Sequence, residues 1–208
     1  MKTVITSVLA AALCGIASTA FALSDTDAAN MLFLKQEEKL AHDVYQVLSQ
    51  KWNHPTFANI MQSEQRHMEA VDGLIVRYGL KDSTPAEPGK FSIPELQDLY
   101  DELIVQGSES LVAALAVGVL IEETDIEDIQ AMLKLTPETI IRRVLTNLLN
   151  GSQNHLHAFT AALEQLAATG TAATSINSAG NPADFICNTT CTSSSAPVQA
   201  RQQQQRRR

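Results

Sequence analysis

The chain has 208 residues, 45% of them apolar, which suits one domain of ordinary size with a packed core. Its three cysteines are too few for a disulfide-stapled scaffold. The formal net charge is −8, and residues 23–170 carry 22 acidic side chains against ten lysines and arginines, a balance that repels nucleic acid and attracts cations.

Residues 1–22 have the pattern of a secretory signal peptide. Lys2 supplies a positive charge, residues 4–17 are mostly apolar, and Ala20-Phe21-Ala22 is a small-x-small cleavage site. An uncleaved membrane anchor is the alternative, but small and hydroxyl residues dilute the apolar run, and a spanning helix needs roughly 20 predominantly apolar residues. We therefore expect a periplasmic or secreted protein that has no membrane association after cleavage.

Two long helices are predicted to follow the signal. Ser24 or Asp25 caps the first, which runs to about residue 52, and residues 53–55 break it. Thr56 caps the second, which stops near Gly79. Because the connection between the two helices is only a few residues long, they should be antiparallel neighbours.

A longer connection leads to two further long helices. Residues 81–93 are predicted to form a loop, and Pro94 opens a short helix over residues 95–106. Ser108 is the predicted cap of the third long helix, which runs to about residue 135. Thr136-Pro137-Glu138 is the predicted start of the fourth, with proline at the first helical position, and this helix runs to about residue 168.

The composition changes after Gly170. Serine, threonine, alanine, asparagine and glutamine dominate, and the chain ends in a glutamine–arginine run. These residues offer too little apolar surface to offset the entropy of ordering, so residues 171–208 are predicted to be a disordered low-complexity tail. Cys187 and Cys191 lie in this tail, and the sequence leaves open whether they pair in an oxidising compartment.

These elements predict an all-α domain over residues 23–170. Four long helices must bury their apolar stripes on one another. The first and last pairs have short connections, whereas about 27 residues with a short helix separate the second long helix from the third. One long crossover of this kind is typical of a ferritin-like four-helix bundle, whereas short loops throughout would give simple up-and-down order.

Ionisable side chains lie on the apolar faces of the long helices. Charged carboxylates are rarely buried unless they are paired or bind a metal. At about 1.5 Å of rise per residue, those on the four helices fall within roughly two helical turns of one level. The candidate metal ligands are Glu38 on the first helix, Glu64 and His67 on the second, Glu122 and Asp125 on the third and His155 on the fourth.

Other interpretations of these residues exist. Glu37 and Glu38 would also suit a solvated helix edge, and the acidic run over 122–128 would suit an exposed face. His155 would also fit as a core histidine with a hydrogen-bond partner. A Glu-x-x-His pair such as Glu64 and His67 is common on helices. The prediction of a metal site therefore depends on the ionisable side chains of all four long helices lying at about the same height along the helix axes.

Four segments together resemble the ligand helices of rubrerythrins and ferritins. Residues 38–45 are similar to the first of these, in which a ligand glutamate precedes a tyrosine by seven, and residues 63–67 contain the Glu-x-x-His of the second. Residues 121–125 resemble the Glu-x-x-Glu of the third, with aspartate as the second acid, and residues 152–155 align with the last Glu-x-x-His. The stretch from about residue 30 to 164 also resembles a bacterial and archaeal ferritin-like group known only as domain of unknown function 2202.

The resemblance implies a carboxylate–histidine site for iron or manganese, mononuclear or dinuclear, with oxidase or peroxidase activity as one outcome; zinc stays open. Ser152 stands where the dinuclear proteins have a bridging glutamate, and a hydroxyl is a poor ligand beside carboxylates. A single metal, a weaker second site and a metal-free bundle that serves as a structural or binding module all remain open. The expected partner is a metal ion, and a homodimer stays open.

Overall fold

Five α-helices make up the part of the chain that the structure, a computed structural model, describes, residues 23–169. They are α1 (Asp25–Trp52), α2 (Pro55–Arg77), α3 (Pro94–Gly107), α4 (Leu111–Leu135) and α5 (Thr139–Ala168). No strand occurs within that range, so the predicted all-α class is confirmed. The predicted signal peptide and the predicted disordered tail lie outside the described residues.

Local chemistry accounts for the ends of α1. The Ser24 hydroxyl accepts a hydrogen bond from the Asp27 N–H at 3.0 Å, as predicted for a capping serine. At the other end Asn53 adopts a left-handed conformation with φ of 49°, and its N–H donates to the Ser49 carbonyl at 2.8 Å. Pro55 then opens α2 one residue before the predicted cap at Thr56, because proline needs no hydrogen-bond acceptor in the first turn.

The predicted cap of the third long helix was wrong by two residues. Ser110 rather than Ser108 caps α4, with its hydroxyl accepting from the Ala113 N–H at 3.0 Å. Ser108 belongs to the end of α3 instead, where its N–H donates to the Ile104 carbonyl at 3.1 Å. Because α3 extends to Gly107 and Ser108 ends it, the cap of α4 lies at the next serine along the chain.

The start of the last helix was also predicted too near the N-terminus, at Pro137 instead of Thr139. Thr136 ends α4, since its N–H donates to the Met132 carbonyl at 3.0 Å, and α5 begins only at Thr139. The buried Thr136 hydroxyl accepts from the Glu138 N–H at 3.3 Å and so shapes the turn between the two helices.

The helices pack as two extensive pairs, α1 with α2 and α4 with α5. The pairs meet through α1 against α4 and α2 against α5, while α3 contacts α1 and α4. An aromatic cluster joins three helices: the ring centroids of Tyr45 and Phe159 are 5.1 Å apart, and those of Phe57 and Phe159 are 5.6 Å apart. Gly118 admits Phe159, because a Cβ at that position would lie 2.5 Å from the ring.

The connection between α2 and α3 is attached to α1 by polar contacts. Asp43 accepts from the Gly89 N–H at 2.8 Å, and Lys39 donates to Asp43 at 2.5 Å and to the Glu87 carbonyl at 2.9 Å. The buried Lys39 also lies 4.7 Å from the ring centre of Phe91. These contacts order a segment that has no helix of its own.

Within the described range, no helix is long and apolar enough to span a membrane.

Candidate metal centre

All six predicted metal ligands are buried in the interior. None of them is more than 8% exposed, although all six can carry charge. The pairs Glu64–His67 on α2 and Glu122–Asp125 on α4 are each spaced by three residues, which places both members on one helix face. A protein keeps so many ionisable groups from water only where they compensate one another or bind a cation.

Three of the six converge most closely. One ligand atom each from Glu64, His67 and His155 lies within 4.8 Å of the other two. The Nδ1 of His67 is 2.8 Å from Glu64 Oε2, and the Nδ1 of His155 is 2.8 Å from Glu64 Oε1. The two imidazole rings stack with their centroids 5.3 Å apart. Glu64 therefore lies between two histidine nitrogens that come from different helices.

The contact between Glu64 and His155 does not have hydrogen-bond geometry. Glu64 Oε1 and His155 Nδ1 are close, yet neither atom has a hydrogen-bond partner among the described residues. Buried polar atoms without partners are rare in folded proteins and point to a missing ligand or water. A carboxylate oxygen and two imidazole nitrogens are also a normal donor set for a first-row divalent metal. The residues present therefore fit a metal ion.

Glu38 and Glu122 flank this trio. Glu38 Oε2 lies 3.2 Å from His67 Nδ1, and Glu122 Oε2 lies 3.5 Å from His155 Nδ1. The Tyr45 hydroxyl donates to the other Glu122 oxygen at 2.7 Å. Each histidine thus faces one flanking carboxylate in addition to Glu64, and Tyr45 holds the Glu122 side chain in place.

Asp125 lies beyond the close trio and is held by Ser152. The fully buried Ser152 hydroxyl donates to Asp125 Oδ2 at 2.5 Å and lies 3.0 Å from the Leu148 carbonyl. Asp125 Oδ1 is buried without a hydrogen-bond partner. The serine at this departure from the rubrerythrin pattern therefore orients a neighbouring carboxylate.

Two further acids beside the centre are buried, although the sequence did not indicate either as a ligand: Glu37 was assigned to the core or a solvated edge, and Asp128 to a possible exposed face. Glu37 and Asp128 are only 7% and 5% exposed, whereas Glu123 and Glu127 on the same acidic run are exposed. Asp128 continues the three-residue spacing of Glu122 and Asp125, a signal that could have indicated its burial. Burial raises the pKa of Glu37 well above its ordinary value, and the neighbouring Asp128 raises it further.

Without a metal, the centre must hold protons. Burial raises the pKa of Glu38 well above its usual range, that of Glu122 to about 8, and that of Asp125 to about 7. Burial alone would lower the pKa of the histidines, but their carboxylate contacts outweigh it and raise that of His155 to about 9 and that of His67 further. Near neutral pH, the raised pKa values therefore favour protonation of several of these groups when no cation is bound.

Comparison with known proteins places the chain among relatives without an assigned function. It is 40% identical over 138 residues to the uncharacterized protein MJ0754 of Methanocaldococcus jannaschii, a match that covers 66% of this chain and 75% of that protein. The crystal structure of hypothetical protein MJ0754 superposes with a TM-score of 0.69 at 38% identity, over 70% of this chain and 83% of the other. The profile described as "Uncharacterized protein domain (DUF2202)" matches residues 27–179, and the chain belongs to that family.

Proposed function

We propose that this chain is an exported metal-binding protein that holds iron or manganese between α1, α2, α4 and α5. The observation that carries the proposal is the approach of Glu64 Oε1 to His155 Nδ1 at 2.8 Å without a hydrogen bond, in the group that includes His67. Glu38, Glu122 and Asp125 complete the donor set. Carboxylate and imidazole together suit iron and manganese, and zinc is the competitor to test.

The architecture we propose is a ferritin-like four-helix bundle formed by α1, α2, α4 and α5, with the segment between α2 and α4 as the crossover. In its support, α1 packs against α4 and α2 against α5. Simple up-and-down order would instead bring α2 against α4 and α1 against α5. Export is proposed from the signal pattern of residues 1–22 alone.

The proposed activity is that of a metal-dependent oxidase or peroxidase. A bound iron or manganese ion would supply redox chemistry with oxygen or peroxide. The residues of the chain would hold and orient the ion, and Tyr45 would fix Glu122 through its hydrogen bond of 2.7 Å. The deep burial of the donors would keep bulk water from the centre.

A metal-free structural or binding module is the second candidate, and Ser152 favours it. With a serine in place of a bridging glutamate, the centre has one carboxylate fewer than a dinuclear site of the rubrerythrin pattern. The histidines can also remain protonated against Glu64, since their carboxylate contacts outweigh burial and raise their pKa values. In this alternative the polar core would be internally paired and no metal would stabilise the fold.

Metal content separates the two candidates. The chain is purified without an affinity tag, reconstituted with iron or manganese, and analysed by mass spectrometry. We expect close to one or two ions per chain, and a melting temperature that rises with added metal. At a hundredfold excess over the dissociation constant, binding should stabilise the fold by about 2.7 kcal/mol.

The matched variant carries Glu64→Gln and His67→Ala together, and it should lose the metal-dependent rise in melting temperature. Less than about a tenth of an ion per chain after reconstitution, or a melting temperature unmoved by iron, manganese and zinc, would favour the metal-free module.

A further inference from the structure

Gly151 of helix α5 lies directly beside the ring of His67. A Cβ atom built on Gly151 would lie 2.4 Å from His67 Nε2 and 2.7 Å from His67 Cε1, closer than real Cβ contacts allow. Gly151 lies directly before Ser152 and four residues before His155, on the helix that completes the candidate centre. The ring of one proposed ligand thus occupies the space that any other residue at position 151 would need.

The ring of His67 has little freedom to give way. Its Nδ1 faces Glu64 Oε2 at 2.8 Å and Glu38 Oε2 at 3.2 Å, and its face stacks on His155. The residue as a whole is only 8% exposed. Because the imidazole is rigid, moving Nε2 away from α5 also moves Nδ1 relative to both carboxylates. The contact at Gly151 is therefore coupled to the geometry of the centre.

Helix propensity alone would disfavour glycine at this position. Gly151 is in the interior of a 30-residue helix, where glycine is less stable than alanine by about 0.5–1 kcal/mol. Gly73 in α2 offers a direct comparison, because a Cβ there would meet nothing within 4 Å. Replacement by alanine should be harmless at Gly73 and disruptive at Gly151.

We propose that Gly151 is a positioning residue for the metal centre: its missing side chain sets the position of the His67 ring and directs Nδ1 toward Glu64 and Glu38. The proposal rests on the proposed function for its consequence in metal binding. The positioning of the ring does not depend on that function and can be tested without metal.

The metal-free test is a double-mutant cycle in the full chain with Gly151→Ala, His67→Ala and the double variant. Gly151→Ala should lower the melting temperature by about 3–10 °C, as expected for an overpacked site in a domain of this size. In the His67→Ala background the same change should lower it by less than about 1 °C, because the clashing ring is gone. Gly73→Ala, the matched control, should leave the melting temperature unchanged or raise it slightly.

The metal test is a calorimetric titration with Mn²⁺ alone. Gly151→Ala should weaken binding at least about tenfold, as for other losses of ligand orientation, whereas Gly73→Ala should stay within about twofold. If the wild-type chain binds no Mn²⁺ in this titration and no iron after reconstitution, but the stability cycle shows coupling, the proposed function fails and the role of Gly151 in positioning the His67 ring stands. If the wild type binds metal and Gly151→Ala binds it equally well, the positioning role is overturned.

If the His67→Ala chain does not fold, NMR spectroscopy of the Gly151→Ala and Gly73→Ala variants tests the proposal without it. The ¹⁵N signals of the His67 ring should shift in Gly151→Ala and stay in place in Gly73→Ala. Unchanged His67 signals, or an equal loss of melting temperature with and without the His67 ring, would overturn the proposal.

Discussion

At the scale of single residues, the protonation of each buried acid in the candidate centre depends on the charged groups that contact it. Glu64 is paired with two histidines, and these contacts outweigh burial and lower the pKa of its carboxyl to about 2. Glu122 and Asp125 have weaker compensation, so burial raises the pKa of each. Acids of the same chemical type therefore have opposite protonation preferences within one core, and the difference arises from the positions of His67 and His155.

The stabilisation of the fold by bound metal should increase with pH. Without metal, the raised pKa values of the histidines contribute stability below about 6.5 that is lost as pH rises toward about 9 for His155. The raised pKa values of Glu122 and Asp125 change stability in the same direction. Between the ordinary values of 4.5 and 3.8 and the raised values of about 8 and about 7, the folded state binds more protons than the unfolded state, so stability falls as pH rises through that range. Manganese displaces these protons. The Mn²⁺-induced rise in melting temperature should therefore be larger at pH 8 than at pH 6, and a rise that shrinks with pH would contradict this.

The Ser152 hydroxyl should matter most when Asp125 is ionised. Ser152→Ala removes the donor at 2.5 Å and leaves a buried carboxylate oxygen unpaired, which should cost about 1–3 kcal/mol of unfolding free energy. The loss should be larger at pH 8 than at pH 5.5, because the pKa of Asp125 is raised to about 7 and the acid is neutral at the lower pH. Urea unfolding at both pH values measures this.

The control for Ser152→Ala is Thr146→Ala, at an exposed hydroxyl on the same helix that bonds only the Arg142 carbonyl. This change should stay within about 0.5 kcal/mol. A pH-independent loss for Ser152→Ala would mean that the hydroxyl acts by packing alone.

At the scale of elements, caps and tight turns fix the helix ends, and a set of polar contacts holds the long α2–α3 connection. Asp43 is the centre of that set: burial opposes its charge, but hydrogen bonds from His42, Lys39 and Gly89 outweigh burial and lower its pKa. Helix α1 thus binds the connection through Asp43, while Glu38 on the same helix contacts His67 in the candidate centre. The connection and the centre share α1 as their support.

Loss of the Asp43 carboxylate should loosen the segment over residues 81–93. Asp43→Asn weakens the contacts with Lys39 and Gly89, so trypsin should cleave after the exposed Lys90 faster than in the wild type, whereas cleavage at Lys51 in α1 should change little. Because the pKa of Asp43 is lowered, its contribution to stability is present above the unfolded value near 3.8 and is lost as pH falls below it. Equal cleavage rates at Lys90 would show that apolar contacts alone hold the segment.

At the scale of the whole molecule, the helical domain should be independent of the residues that follow it. The described helices end at Ala168, and the low-complexity composition of residues 171–208 predicts disorder beyond them. Dilute protease should therefore trim residues 171–208 while the helices survive. Thermal unfolding of the trimmed protein should remain cooperative, with a midpoint within about 2 °C of the full chain. Protection of the tail, or a loss of cooperativity on trimming, would contradict the prediction of disorder.

The amino-acid sequence alone was sufficient to predict the all-α class and the five helices of the described residues. It also indicated six candidate ligands on apolar helix faces, with exposed positions left open for several of them: Glu38, Glu64, His67, Glu122, Asp125 and His155. Apolar periodicity and the punctuation by proline and glycine are local signals, so they can be read along the chain. Local signals misplaced the cap of α4, which was predicted at Ser108 and lies at Ser110, and the start of α5, where the turn depends on the buried Thr136.

Which of the buried groups contact one another depends on how the helices pack. Spacing puts Glu64 and His67 on one face, but the approach of His155 to Glu64 depends on how α2 and α5 pack, and so does the contact of Gly151 with the His67 ring. The burial of Glu37 and Asp128 likewise depends on neighbouring helices, because an acid at the edge of an apolar stripe is exposed or covered according to the partner that packs there. Contacts between helices distant in sequence leave no periodic trace in either helix alone.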